Sequence, residues 1–259
     1  MPTPLSRWDY ATPEPLAARI GLHARYGTAR VPWHRWVFER LGLRPGTTLL
    51  EVGCGPGTIW RENAGRLPTG LRLRLTDASP GMVDAARATL RQVEVDAEVT
   101  AADAQRLPFD DASVDVALAA HMLSHVADRA RAIAELRRVL RPGGRLVATT
   151  NGRAHLRELE AFAVRHVPGW TPPDPAAAFG LENGEAQLRG AFAEVAVDRH
   201  DGGLVVPDAA PLLAYLRSMP GLEALGPTDL LRLGAALEAD LAAHGPLRIT
   251  TESGAFLAG

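Results

Sequence analysis

Leu49-Leu50-Glu51-Val52-Gly53-Cys54-Gly55-Pro56-Gly57-Thr58 decides the reading of this chain. An apolar run ends in an acid and is followed at once by Gly-x-Gly-x-Gly, the pattern of a buried strand feeding a tight loop. Glycines there permit positive φ and let a bulky ligand lie directly on backbone. Phosphate-cradling loops use Gly-x-Gly-x-x-Gly or Gly-x-x-x-x-Gly-Lys-Ser/Thr. Neither spacing occurs, and all 28 basic residues are arginine. Lysine Schiff-base chemistry is thereby excluded.

An acid is expected at the end of the next strand, where it can accept hydrogen bonds from ribose hydroxyls. Leu71-Arg72-Leu73-Arg74-Leu75-Thr76-Asp77 alternates with period two and ends in Asp77. Ser79-Pro80 then supplies an N-cap and a first-turn proline for a helix through Met82, Val83 and Ala86. Three further segments follow in order: Val99 to Phe109, with Asp103-Ala104 and Leu107-Pro108-Phe109; the buried strand Val114 to His121; and Leu136 to Ala148, containing Leu140-Arg141-Pro142-Gly143-Gly144.

Taken together, these five segments, over roughly residues 47 to 150, resemble the motifs of class I S-adenosylmethionine-dependent methyltransferases. The ubiquinone/menaquinone-biosynthesis-like branch is the most similar. The resemblance implies a doubly wound, mostly parallel seven-stranded Rossmann-like α/β sheet with an antiparallel edge strand. It also implies S-adenosyl-L-methionine as cofactor. Gly53, Gly55 and Gly57 would lie under the amino-acid end, with Glu51 and Cys54 beside them, and Asp77 and Ala78 at the ribose. Asp103 would accept from the adenine amino group, Ala104 would offer its amide to the ring, and Met82 would pack on the adenine. His121 would border cofactor and acceptor alike.

Chain length suits one domain with embellishments: 259 residues, 46% hydrophobic and 22% charged. The expected partition is an N-terminal helical lid (1–43), a sheet core (44–207 and 246–259) and a helical insertion (208–245). Helices are expected from Pro15 to Leu43 in two segments and from Arg153 to His166. Strands are expected at Ala193–His200 and Leu247–Ala258, and the insertion carries helices at Pro211–Ser218 and Thr228–His244.

A net charge of −2 lacks the basic footprint of a nucleic-acid partner. One cysteine, Cys54, permits no internal disulfide. No signal-like N-terminus or membrane-length apolar run is present, so a soluble, cytoplasmic protein acting on a small molecule is expected.

Methyl transfer from a sulfonium needs alignment above all, which can supply roughly 7–11 kcal/mol of barrier reduction. A base adds about 10²–10⁴ in rate where the acceptor must lose a proton. His121 and His125, at i and i+4, are the candidate bases if they share a helical face; otherwise they pack under the lid. The His-x-x-x-His spacing also occurs in zinc sites. Without a following Glu or a third ligand, no metal is expected. The N-terminal cluster of Trp8, Tyr10, His23, Arg25, Tyr26, Arg30, Trp33 and Trp36 supplies candidates for acceptor binding, foremost Tyr10, Tyr26, Arg30 and Trp33. Trp33 and Trp36 also fit ordinary helix packing. Two alternatives share these motifs: a non-methylating use of the cofactor such as cyclisation, and a non-catalytic cofactor-binding regulator.

Overall fold

The computed structural model describes residues 14–259. Two helices open it, α1 (Glu14–Tyr26) and α2 (Trp33–Leu41). Strands and helices then alternate: β1 (Thr48–Val52), α3 (Thr58–Asn63), β2 (Arg72–Asp77), α4 (Pro80–Gln92), β3 (Glu98–Ala101), β4 (Val114–Ala120), α5 (Arg129–Val139) and β5 (Leu140–Asn151). Next come α6 (Arg157–His166), the short α7 (Pro175–Ala178) and α8 (Gly184–Leu188), β6 (Val195–His200) and β7 (Gly203–Val206). The chain closes with α9 (Ala209–Arg217), α10 (Pro227–His244), β8 (Leu247–Thr250) and β9 (Ser253–Ala258).

Seven strands form one sheet in the order β3-β2-β1-β4-β5-β9-β6. The first five run parallel, and β9 is antiparallel to both β5 and β6. The antiparallel pair thus lies at the expected side of the sheet, with β9 one place in from the edge and β6 outside it. Successive residues of a strand feed opposite layers, as the pleat requires. Leu50, Val52, Ala117 and Ala119 pack with Ile133 and Leu136 of α5. Leu49, Val116 and Leu118 pack with Val37 and Leu41 of α2, Trp60 of α3 and Val83 of α4. A central sheet buried on both faces explains why β1 reads as a continuous apolar run rather than an alternation.

Some boundaries differ from expectation. Leu247–Ala258 is two strands, because Leu247–Thr250 pairs with β7 in a separate two-stranded sheet while Ser253–Ala258 enters the main one. The helix expected from Arg153 begins at Arg157, after Leu156 adopts φ 61°. Arg141-Pro142-Gly143-Gly144 forms an irregularity within β5, where Val116 faces Arg145 although Val114 faces Leu140.

The two N-terminal helices part company. Whereas α2 joins the sheet, Leu22 of α1 packs with Phe162 of α6, Val206 of β7, Leu212 and Leu216 of α9, Leu233 of α10 and Ile249 of β8. Polar ties hold α1 to this third cluster. Arg19 donates to Ser218 Oγ (3.0 Å) and to its carbonyl, and Thr28 N donates to Gly203 O (2.9 Å). No described helix is long and apolar enough to cross a membrane.

Candidate active site

At the carboxyl end of β1 the chain turns through three left-handed glycines, with φ of 74° at Gly53, 53° at Gly55 and 74° at Gly57. Gly53 N and Cys54 N both donate to Thr76 O, at 2.7 and 2.9 Å, which pins the loop to β2. Gly55 N donates to Asp77 Oδ2 at 2.9 Å, and Ser79 N donates to Oδ1 at 2.9 Å. Asp77 is thus held at the strand end by backbone, and each oxygen keeps a further lone pair. Burial raises its pKa, and the amides of Ser79, Gly55 and Ala78 oppose that shift. Ser79 caps α4 as expected, accepting from Met82 N at 3.4 Å.

Beneath the loop, Glu51 is buried and its carboxylate accepts from Trp60 Nε1 at 2.6 Å. Desolvation pushes its pKa up to about 8, with the nearby Asp77 charge adding to the shift. Glu51 is thus buried under the loop with Trp60 as its hydrogen-bond partner. Cys54 is buried as well, and desolvation raises its thiol well above the usual range. Over the loop, a Cβ on Gly53 would stand 2.6 Å from Met122 Cβ, and one on Gly55 would stand 3.5 Å from Leu16 of α1. Met122 and Leu16 carry no motif, so sequence reading passes them by.

Beside this loop lie the other residues expected at the cofactor. Met82 and Ala104 are buried, and Ala78 is exposed. Asp103 is exposed and accepts from both Gln105 N (2.9 Å) and Gln105 Nε2 (3.0 Å). Its segment is clamped by α5: Leu107 N donates to Glu135 Oε2 at 2.8 Å, while Arg138 donates to the Phe109 and Leu107 carbonyls. Sequence reading placed Arg138 on a helix but gave it no task. A planar guanidinium with five donors can bridge two carbonyls and two carboxylates at once.

A second assembly lies past β4. His121 takes φ 52°, and its amide donates to Thr149 O at 3.1 Å. His125 follows in a single 3-10 turn, Leu123–His125, so the two histidines do not share an α-helical face. The left-handed residue at position 121 breaks the helical continuation that i, i+4 spacing presupposes. Instead, the His121 ring meets Trp33 of α2, with centroids 5.1 Å apart, and Trp33 stacks on Trp36 at 5.3 Å. His200 of β6 meets both tryptophans edge-on and shares a 2.8 Å hydrogen bond with Val31 O through Nε2. His23 of α1 stacks on His155 at 5.5 Å and an 11° interplanar angle, with Tyr215 of α9 against its edge.

Desolvation dominates this cluster. It lowers the pKa of His121 to about 3 and of His23 and His125 to about 4. It holds His155 well below the usual imidazole range, and the neighbouring imidazoles add to these shifts at His121, His23 and His155. All four rings are neutral at pH 7. His23, His121 and His155 nonetheless retain accessible surface. These rings form a desolvated, neutral imidazole cluster that keeps some exposed surface.

Two acceptor candidates fall elsewhere. Tyr26 is tied to the β7–α9 connection, its hydroxyl donating to Asp208 Oδ2 at 2.8 Å. Arg30 is exposed on the α1–α2 connection. Trp33 packs between His121 and Trp36. Tyr10, like Trp8, lies outside the described residues. No group of three His, Cys, Asp or Glu is disposed to hold a metal among the described residues.

Residues 50–148 match the family described as "Methyltransferase domain". The match takes in less than half of the chain, and the chain is similar to methyltransferases of the ubiquinone/menaquinone-biosynthesis-like branch. The chain is 33% identical over 176 residues to malonyl-[acyl-carrier protein] O-methyltransferase of Serratia marcescens, covering 63% of this chain and 65% of that one. Over 118 residues it is 36% identical to ubiquinone/menaquinone biosynthesis C-methyltransferase UbiE of Ectopseudomonas mendocina, 44% of this chain and 46% of the relative. The matched stretch spans less than two thirds of each of these relatives. The [4+2]-cyclase SpnF shares the methyltransferase-domain fold, with a TM-score of 0.60 and 21% identity over 96% of this chain and 93% of its own.

Proposed function

We propose that this chain transfers the methyl group of S-adenosylmethionine to an oxygen, nitrogen or carbon of a small molecule. One observation carries the reading: Asp77 stands at the end of β2 with its carboxylate tied to the amide of the middle glycine of the β1 loop. That arrangement joins a backbone cradle to a charged acceptor for a ribose, one strand away, in a domain of the methyltransferase family.

The residues fit the cofactor. Gly53, Gly55 and Gly57 offer a surface without side chains, and Asp77 keeps lone pairs for two hydroxyls. Met82 and Ala104 would face the adenine, with Asp103 at its amino group after release from Gln105. Bound there, the sulfonium supplies an already activated methyl group. The chain's own residues then align the acceptor and exclude water. Leu16 brings α1 against the glycine loop, and α1 is bound to α9 and β7, so the cap would cover cofactor and acceptor together. His121 and His125 are neutral at physiological pH and can accept a proton, with His121 next to Trp33 the better placed. So low a basicity suits an acidic acceptor.

The test is a screen of small oxygen, nitrogen and carbon nucleophiles with S-adenosylmethionine, following S-adenosylhomocysteine release. Release with one acceptor class supports transfer. Methylthioadenosine instead would indicate attack through the aminobutyrate arm, and tight cofactor binding without turnover would indicate a regulator. Failure to bind S-adenosylmethionine would overturn the proposal.

A further inference from the structure

His155 is engaged in a way that no motif announced. Its loop, between β5 and α6, is fastened to the β8–β9 turn by Gly152 N to Glu252 O (2.9 Å), Ala154 N to Glu252 Oε2 (2.9 Å) and Leu156 N to Thr250 O (2.8 Å). Within this frame Glu252 N donates to His155 Nδ1 at 3.2 Å. A backbone amide can only donate, so Nδ1 must be the unprotonated nitrogen. The single proton of the neutral ring therefore sits on Nε2. Ser253 Oγ, 3.4 Å from the same nitrogen, directs its hydrogen to Asn151 Oδ1 at 2.7 Å and leaves that assignment intact. His23 lies parallel to the ring, so the in-plane Nε2–H is not consumed by the stack. Nε2 has no hydrogen-bond partner among the described residues.

We infer that His155, stacked on His23 in the imidazole cluster, is a fixed hydrogen-bond donor that presents Nε2–H to an oxygen of the substrate: a carboxylate, carbonyl or phenolate. This rests on the methyltransferase reading for what the cluster is used for, and on geometry alone for the tautomer. The group that orients the ring decides its role. A carboxylate on Nδ1–H would make Nε2 a base, whereas an amide N–H on Nδ1 makes Nε2 a donor. Protonating the ring would set two N–H groups against each other at Glu252, so His155 stays neutral where an ordinary imidazole titrates. Ammonium groups, which only donate, find no acceptor at this position.

Two measurements test it on the full chain. Long-range ¹H–¹⁵N NMR of the imidazoles, assigned with a His155→Asn variant, should show the Nε2–H form of His155 from pH 5.5 to 8. A protonated Nδ1 or a cationic ring in that range overturns the inference. In the second, protein saturated with S-adenosylhomocysteine is titrated with benzoate and, separately, with benzylammonium. Benzoate should move the His155 Nε2–H resonance, and benzylammonium should not. His155→Asn, which keeps an acceptor for Glu252 N but lacks the distal donor, should weaken benzoate at least tenfold and leave S-adenosylhomocysteine affinity unchanged. His155→Gln, which restores a donor near the Nε2 position, should recover part of that loss. Equal benzoate affinity in wild type and His155→Asn, or no response to benzoate, overturns the inference. If His155→Asn does not fold, the wild-type tautomer and the two titrations still decide. Loss of S-adenosylhomocysteine binding in the wild type would count against the methyltransferase reading and not against the tautomer.

Discussion

The glycine loop and the imidazole cluster are neighbours built on opposite principles. The loop is made of contiguous residues whose backbone does the holding: three left-handed glycines, two amides on Thr76 O and one on Asp77. The cluster is made of side chains from α1, α2, the end of β4, the loop after β5 and the edge strand β6. Backbone recognition tolerates little sequence change and leaves a motif. Side-chain assembly needs only that several rings arrive together, and it leaves none. The two regions also carry opposite proton linkage, since a buried carboxyl lies under the loop and buried imidazoles form the cluster.

The sharpest break in this comparison comes from Gly53. Gly53→Val puts a β-branched side chain at φ 74° and drives Cβ into Met122. Loss of S-adenosylhomocysteine affinity by at least about 10³-fold, roughly 4 kcal/mol, is expected by calorimetry. An affinity within tenfold of wild type would show that the loop is not the cradle.

Next in size are the pH slopes of stability. The native Glu51 holds its proton to about 8 whereas the unfolded chain releases it near 4.5. The native state therefore binds more protons between those values, and stability falls as pH rises through that window. At about 1.4 kcal/mol per unit of pKa difference, the loss is a few kcal/mol by pH 8. The histidines run the other way. Their native pKa values lie near 3 to 4, so their stabilisation is complete above about 6.5 and is lost as pH falls toward 4. Urea melts from pH 4 to 9 should show Glu51→Gln abolishing only the alkaline slope and His23→Phe reducing only the acid one. A single variant that flattens both would mean that the two regions titrate as one.

Replacing His121 should reach the cluster alone. His121→Phe is expected to lower kcat by about 10²-fold, the lower end for a lost base, with cofactor affinity retained. Because His121 stays neutral down to about 3, wild-type kcat should be flat from pH 5 to 8. An unchanged kcat in the variant would reduce the cluster's contribution to alignment, and a break near pH 6.5 would refute the neutral ring.

Smallest is Asp77→Asn, which keeps one carbonyl oxygen for Gly55 N and loses the charge. S-adenosylhomocysteine affinity should drop about tenfold, near 1.4 kcal/mol, because the remaining acceptor is neutral. No change would remove the ribose assignment and narrow the loop's role to the amino-acid end.

Residues 49–148 show what the linear chain determines by itself. A strand buried on both faces must be an apolar run, a left-handed turn must be glycine, and a helix opening at Ser79-Pro80 follows from local capping. Each of these requirements acts over a few residues, so sheet, loop and Asp77 are legible without coordinates. Tertiary structure decided the rest. It split Leu247–Ala258 between two sheets, since an extended segment does not encode its partner. It sent α1 to the cap and α2 to the sheet, although both are amphipathic and adjacent. Tyr26 went to Asp208, Arg30 went to solvent, and His155, 132 residues from His23, met it face to face. The proton position on His155 follows from a backbone amide nearly a hundred residues further on. Such contacts rest on long-range pairing, in which partner and distance are properties of the folded chain and not of any window within it.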